Sequence, residues 1–127
     1  MGSEQSDGIG RSLKVLVVDD EPLIAMSVSD MLEDLGHQAI AVHSGGEALS
    51  LLGEGRAFDL IITDQSMPDM KGTELARQAM GRDAGLVVFL STGYGDFEGE
   101  TDDSLPRLQK PYMMSDLAEL IAAKFGS

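Results

Sequence analysis

The sequence predicts an α/β fold, a doubly wound five-stranded parallel sheet with helices on both faces. Three observations lead there. Short apolar runs alternate with helix-period segments along the chain. The runs are continuously apolar, as suits strands buried on both faces. Several of them stop abruptly at polar residues, namely Asp19-Asp20, Asp64, Ser91-Thr92 and Lys110. In open α/β sheets the functional crevice lies outside the carboxyl ends of the strands, so those residues are the candidates for function.

Each element has its own signal. Leu13–Val18 is a β-branched run ending in Asp19-Asp20-Glu21, and Pro22 sits at a favourable first-turn position for the helix that follows. Leu23, Ile24, Met26, Met31, Leu32 and Leu35 give that helix its apolar face, and Gly36 is placed to end it. Gln38–Val42 reads as the second strand. Ser44-Gly45-Gly46-Glu47 has capping-box spacing ahead of Ala48, Leu49, Leu51 and Leu52. Phe58–Thr63 is the third strand, ending on Asp64, and the turn at Pro68 leads to a helix over about Gly72–Met80. Leu86–Ser91 is the fourth strand and Leu108–Lys110 a short fifth. A helix over Tyr112–Phe125 closes the chain, with Leu117, Leu120, Ile121 and Phe125 as its apolar positions. Residues 1–11 read as a polar, flexible tail and 12–127 as one domain. Gly95–Asp103 holds five acids and two glycines with little periodicity, and is expected to be a loop.

Composition narrows the function. The chain has 127 residues, enough for one domain with a substantial core. It has no cysteine, which excludes thiol catalysis, zinc–thiolate clusters and disulfides. Nine basic against 22 acidic residues give a net charge of −13, which argues against a nucleic-acid partner. The apolar runs are too short to span a bilayer, and the amino terminus lacks a basic segment followed by an apolar stretch. A cytoplasmic protein without membrane association is therefore expected.

The polar residues at the strand ends are chemically complementary. Three carboxylates, Asp19, Asp20 and Asp64, repel one another unless a cation joins them. An oxygen-rich acidic site suits Mg²⁺, which often shares its coordination with a phosphate. Lys110 adds an ammonium and Thr92 a hydroxyl, so metal, cation and hydroxyl donor can each take one phosphoryl oxygen. A carboxylate nucleophile forming an aspartyl phosphate is an established covalent strategy, and Asp64, the single acid ending the central strand, is the best candidate.

The sequence from about Leu13 to Phe125 resembles the receiver domains of response regulators in two-component signalling. The resemblance rests on Val17-Val18-Asp19-Asp20-Glu21, on Thr63-Asp64 with Met67-Pro68 and Gly72 behind it, and on Thr92 and Lys110-Pro111. It implies a flavodoxin-like receiver fold and phosphorylation of Asp64. It also implies Mg²⁺ held by Asp19, Asp20, Asp64 and the carbonyl of Ser66, with Thr92 as switch hydroxyl and Lys110 as phosphate-pairing cation. The partner implied is a histidine kinase or a histidine phosphotransfer protein. A cis Lys110–Pro111 bond is implied too. Two departures stand out. The aromatic that many receivers carry three residues before the lysine is Arg107 here. In addition, Leu90-Ser91-Thr92-Gly93-Tyr94-Gly95 partly resembles the Phe-Ala-Thr-Gly-Tyr subgroup, which lacks that aromatic. This points to a switch region around Gly93, Tyr94 and Gly95, with Tyr94 placed to shield a phosphoryl group from water.

Each motif alone has a plainer explanation. Asp19-Asp20-Glu21 is favourable charge at a helix start, Asp64 a turn acid, Lys110-Pro111 a solvated lysine before a turn, and the methionines core fillers. His37 and His43 lie near loops and default to solvated imidazoles. Other functions on this topology also make distinct demands. An aspartyl-nucleophile, Mg²⁺-dependent phosphatase needs a second carboxylate two residues after the nucleophile, where this chain has Ser66. A flavin-phosphate binder needs a Gly/Ser/Thr-rich loop where this chain has Asp19-Asp20-Glu21. A phosphorylation-independent scaffold does not need the acceptor set. The reading expected is therefore a phosphoacceptor rather than an enzyme acting on other substrates, either standing alone or excised from the carboxyl-terminal part of a hybrid histidine kinase.

Overall fold

The computed structural model describes residues 9–93 and 105–126. In chain order the elements are β1 (Lys14–Val18), α1 (Pro22–Asp34), β2 (Gln38–Val42), α2 (Gly45–Gly53), β3 (Leu60–Asp64), α3 (Gly72–Arg82), β4 (Val87–Thr92), β5 (Arg107–Gln109) and α4 (Met114–Phe125). The five strands form one sheet of order β2-β1-β3-β4-β5, every pairing parallel.

Successive strand residues face opposite sides of the sheet. Val15 and Val17 of β1, Leu60 and Ile62 of β3, Phe89 of β4 and Leu108 of β5 pack with Ala25, Val28 and Leu32 of α1 and with Leu117 and Ile121 of α4. On the other side Leu16, Val18, Ile61 and Val88 pack with Ala48 of α2 and with Leu75, Ala76 and Ala79 of α3. Two apolar layers on one sheet are what the continuously apolar runs predict.

Helix ends follow the sequence closely. Gly36 adopts φ +100°, His37 N–H donates to the Leu32 carbonyl (2.9 Å) and Gly36 N–H to that of Glu33 (3.0 Å), a Schellman closure of α1. The Ser44 hydroxyl accepts from Glu47 N–H (3.1 Å) at the start of α2. The Glu47 carboxylate accepts from His43 N–H (2.7 Å) rather than from that of Ser44.

Several boundaries differ from expectation. β3 begins at Leu60 rather than Phe58, and its last residue is the acid Asp64 itself. β4 runs to Thr92, α3 continues to Arg82, and β5 is Arg107–Gln109, leaving Lys110 just beyond its end. α4 starts at Met114 instead of Tyr112. Met113 N–H donates to the Asp116 carboxylate (2.8 Å), which fixes the helix start there and leaves Tyr112 in the preceding loop. His37 is a correction. It is buried, 4 % exposed, and its Nδ1 accepts from Leu13 N–H (3.0 Å), because the end of α1 folds it under β1. His43 is exposed, as expected.

Of the tail expected over residues 1–11, the described part begins at Ile9, which packs on the α1/α4 layer. Arg11 lies 5.5 Å over the Phe125 ring. The loop expected at Gly95–Asp103, together with Tyr94, lies outside the described residues.

Candidate functional site

Parallel strands bring their carboxyl ends to one edge, where the site forms. Asp19 follows β1, Asp64 closes β3, Thr92 closes β4 and Lys110 follows β5. Register tightens the set. Asp64 pairs with Ser91, Gln65 N–H donates to the Ser91 carbonyl (2.9 Å), and Lys110 N–H donates to the Thr92 carbonyl (2.7 Å). Thr92 is thus held between the Asp64 and Lys110 strands, and it is buried.

Carboxylate oxygens of Asp19, Asp20 and Asp64 lie within 4.8 Å of one another. Asp19 and Asp64 are buried and Asp20 is half-buried. Lys110 Nζ stands 3.2 Å from Asp19 Oδ2 and 3.2 Å from Asp64 Oδ1. The other Asp19 oxygen accepts from Glu21 N–H (2.9 Å), so one carboxylate both anchors the start of α1 and meets the lysine. The Lys110–Pro111 bond is cis.

Charge in this pocket is poorly balanced. Burial pushes the Asp64 carboxyl up to about 6; Lys110 opposes the shift, and Asp19 and Asp20 add to it. Burial pushes the Lys110 ammonium down, but Asp19 and Asp64 outweigh it and its pKa rises. Three acids against one ammonium is a donor set that suits a small divalent cation.

Ser66, two residues beyond Asp64, is exposed in the loop leading to α3, and Gly93 is half-buried after β4. Tyr94 and Gly95 lie outside the described residues.

Other residues shape the site, and two of them, Gln65 and Asp69, were not singled out from sequence. Gln65 is fully buried; its side-chain oxygen accepts from Thr73 N–H (3.0 Å) and its carbonyl from Gly72 N–H (2.9 Å), docking α3 on the end of β3. A methyl group on Gly72 would meet the Asp64 carbonyl oxygen at 2.5 Å, so glycine is what allows this approach. Asp69 accepts from Gly45 N–H (3.2 Å) and Gly46 N–H (2.9 Å), joining the loop after β3 to the start of α2. These hydrogen bonds hold the carboxyl group low. A polar residue straight after Asp64 was a visible signal for Gln65. Nothing local announced Asp69, whose partners are more than twenty residues away.

Fold and site together are those of a parallel α/β domain with an acidic pocket at the carboxyl ends of its strands, and comparison with known proteins gives the class. The family model described as "Response regulator receiver domain" matches residues 15–122, and the chain belongs to that family of two-component signalling domains. Response regulator receiver protein CpdR of Brucella abortus is 31% identical over 112 residues, covering 85% of this chain and 92% of that protein. Virulence sensor protein BvgS of Bordetella pertussis is 44% identical over 84 residues, 66% of this chain but only 6% of that protein's length. Among solved structures, response regulator TrrA of Thermotoga maritima in complex with Mg²⁺ and BeF superposes with a TM-score of 0.76 at 26% identity, covering 87% of this chain and 96% of that one. No helix among the described residues is long and apolar enough to cross a membrane.

Proposed function

We propose that this receiver is the phosphoacceptor of a His-to-Asp relay, phosphorylated on Asp64, and that it signals through altered protein–protein contacts. The observation that carries the reading is Lys110 Nζ at 3.2 Å from both Asp19 and Asp64, within the three-carboxylate cluster. Asp19, Asp20, Asp64 and the Ser66 carbonyl are the residues that would hold Mg²⁺. When bound, the ion neutralises charge on the acids and on the incoming phosphoryl oxygens.

The chain's own residues do the rest. An Asp64 carboxylate oxygen attacks phosphorus of a phosphohistidine on a histidine kinase or phosphotransfer protein. The O–P bond forms as the P–N bond breaks, and the departing imidazole takes up a proton. Lys110 pairs with one phosphoryl oxygen and the Thr92 hydroxyl donates to another, so catalysis is positioning and electrostatics. The structure of TrrA with Mg²⁺ and BeF supports the same class of ligand for this pocket. Ser66 at the position where an aspartyl-nucleophile phosphatase needs a carboxylate argues against turnover on free phosphoesters.

Intact mass after incubation with acetyl phosphate tests the reading. One phosphoryl increment is expected with Mg²⁺, little without it, and none in Asp64→Asn. An equal increment in Asp64→Asn would refute it.

A further inference from the structure

Two consecutive residues pin the loop after β3 to the start of α2. The Asp69 carboxylate gives one oxygen to each of two successive N–H groups, Oδ1 to Gly45 (3.2 Å) and Oδ2 to Gly46 (2.9 Å). Met70 lies against Gly45, where an added Cβ would meet its Cγ at 2.5 Å and its Sδ at 2.6 Å. A carboxylate bridging two backbone donors is a stronger tie than a neutral hydrogen bond. Asp69 is exposed, so the tie is made at the surface rather than within the apolar layers.

The same turn also holds the loop after β1. Asp19 N–H donates to the Val42 carbonyl (3.1 Å), and His43 Nδ1 stands 3.2 Å from the Asp19 carbonyl oxygen. Residues 42–46 thus touch both Asp19 and the loop that carries Ser66, although they supply none of the candidate metal ligands.

Position matters most for the ligand without charge. Asp19, Asp20 and Asp64 attract a cation by charge, whereas the Ser66 carbonyl is neutral and serves only where its loop places it. Mg²⁺ demands near-ideal octahedral geometry, which a loosely held ligand meets poorly. Gln65 is fixed to Thr73 N–H and Asp69 to α2, and Ser66 lies between these anchors, beside the buried Met67.

We propose that Asp69 is a positioning residue for the divalent cation, clamping the Ser66 loop to the start of α2 so that the Ser66 carbonyl is held ready as a ligand. This rests on Mg²⁺ being held by Asp19, Asp20, Asp64 and Ser66.

Amide NMR of the ¹⁵N-labelled chain, titrated with MgCl₂, reads both the affinity and the clamp. In the parent, the Gly45 and Gly46 resonances are expected to move with the same midpoint as that of Ser66, because coupling between two places is reciprocal. Asp69→Ala is expected to weaken Mg²⁺ binding about tenfold, the low end of the cost of removing an outer partner of a metal ligand. Asp69→Asn discards the charge but keeps an oxygen for one of the two donors, and should lose only about threefold. At saturating Mg²⁺ the rate of acetyl-phosphate labelling should stay within about twofold of the parent's in both variants, as for a residue that acts on binding alone. Equal losses of affinity in the two variants would show that Asp69 acts through its charge, and would overturn the proposal. So would an unchanged affinity in Asp69→Ala, or a larger fall in the saturated labelling rate. Gly45 and Gly46 resonances unmoved by saturating Mg²⁺ in the parent overturn it whether or not a variant folds. A parent that binds no Mg²⁺ at all instead refutes the metal reading, and the role of Asp69 with it.

Discussion

Asp64 is ionised in a place that resists ionisation. Its pKa is pushed up from 3.8 to about 6, chiefly by burial. Between those values the folded chain binds more protons at this carboxyl than the unfolded chain does, so its contribution to stability falls as pH rises through that window. Above about pH 6 the whole penalty is present. Without Mg²⁺, Asp64→Asn is therefore expected to be more stable than the parent at pH 7.5, by on the order of 1 kcal/mol after allowing for solvent screening. The advantage should shrink as pH is lowered from 7 towards 4. Adding Mg²⁺ should raise the parent's Tm more than the variant's, because the ion relieves the same repulsion. Thermal unfolding across pH, with and without Mg²⁺, measures all of this. A variant less stable than the parent at pH 7.5 would mean that burial is not what sets the Asp64 carboxyl.

At the scale of elements, the acceptor strand and α3 are fitted to each other through a glycine. Gly72 N–H and Thr73 N–H both donate to Gln65, and a Cβ on Gly72 would stand 2.5 Å from the Asp64 carbonyl oxygen and 3.1 Å from Gln65 Cα. Those neighbours are backbone, which cannot turn aside as a side chain can. Gly72→Ala is therefore expected to lift α3 from the end of β3, costing about 1–3 kcal/mol in urea unfolding and slowing acetyl-phosphate labelling of Asp64. Gly46→Ala, where the nearest atom to an added Cβ is the Asp69 carboxylate at 3.5 Å, should be much milder. Comparable losses in the two would show that crowding at Gly72 is not the cause. The strands and helices themselves were legible because hydrophobic periodicity is local, and β2 falls on Gln38–Val42 as expected. What stayed hidden is tertiary. Asp69 places α2 by hydrogen bonds to Gly45 and Gly46, more than twenty residues away, and Gln65 docks α3 through Thr73, eight residues on, by a contact that hydrophobic periodicity does not encode. The α4 boundary moved for a nearer reason, the hydrogen bond from Met113 N–H to Asp116.

Across the whole molecule, the two ends of the sheet carry different work. At the carboxyl ends, acids and one lysine are held close in an arrangement that burial disfavours. At the amino ends, His37 tucks under β1, accepts from Leu13 N–H, and precedes the Gln38 N–H that donates to the Leu13 carbonyl (2.9 Å). A histidine beside a glycine looks solvated from sequence, but the Schellman turn at Gly36 directs it inward, where it serves a buried backbone donor. Between the two ends, the three central strands β1, β3 and β4 are buried on both faces. His37→Leu keeps bulk at that position and strands the Leu13 N–H, for an expected loss of about 1–3 kcal/mol. Acetyl-phosphate labelling of Asp64 should remain unchanged wherever the variant is folded, because none of the site's side chains reaches that end. Urea unfolding followed by labelling kinetics in buffer alone separates the two effects. Slowed labelling in a fully folded His37→Leu protein would show that strain at one end of the sheet reaches the other, and the division of labour would have to be abandoned.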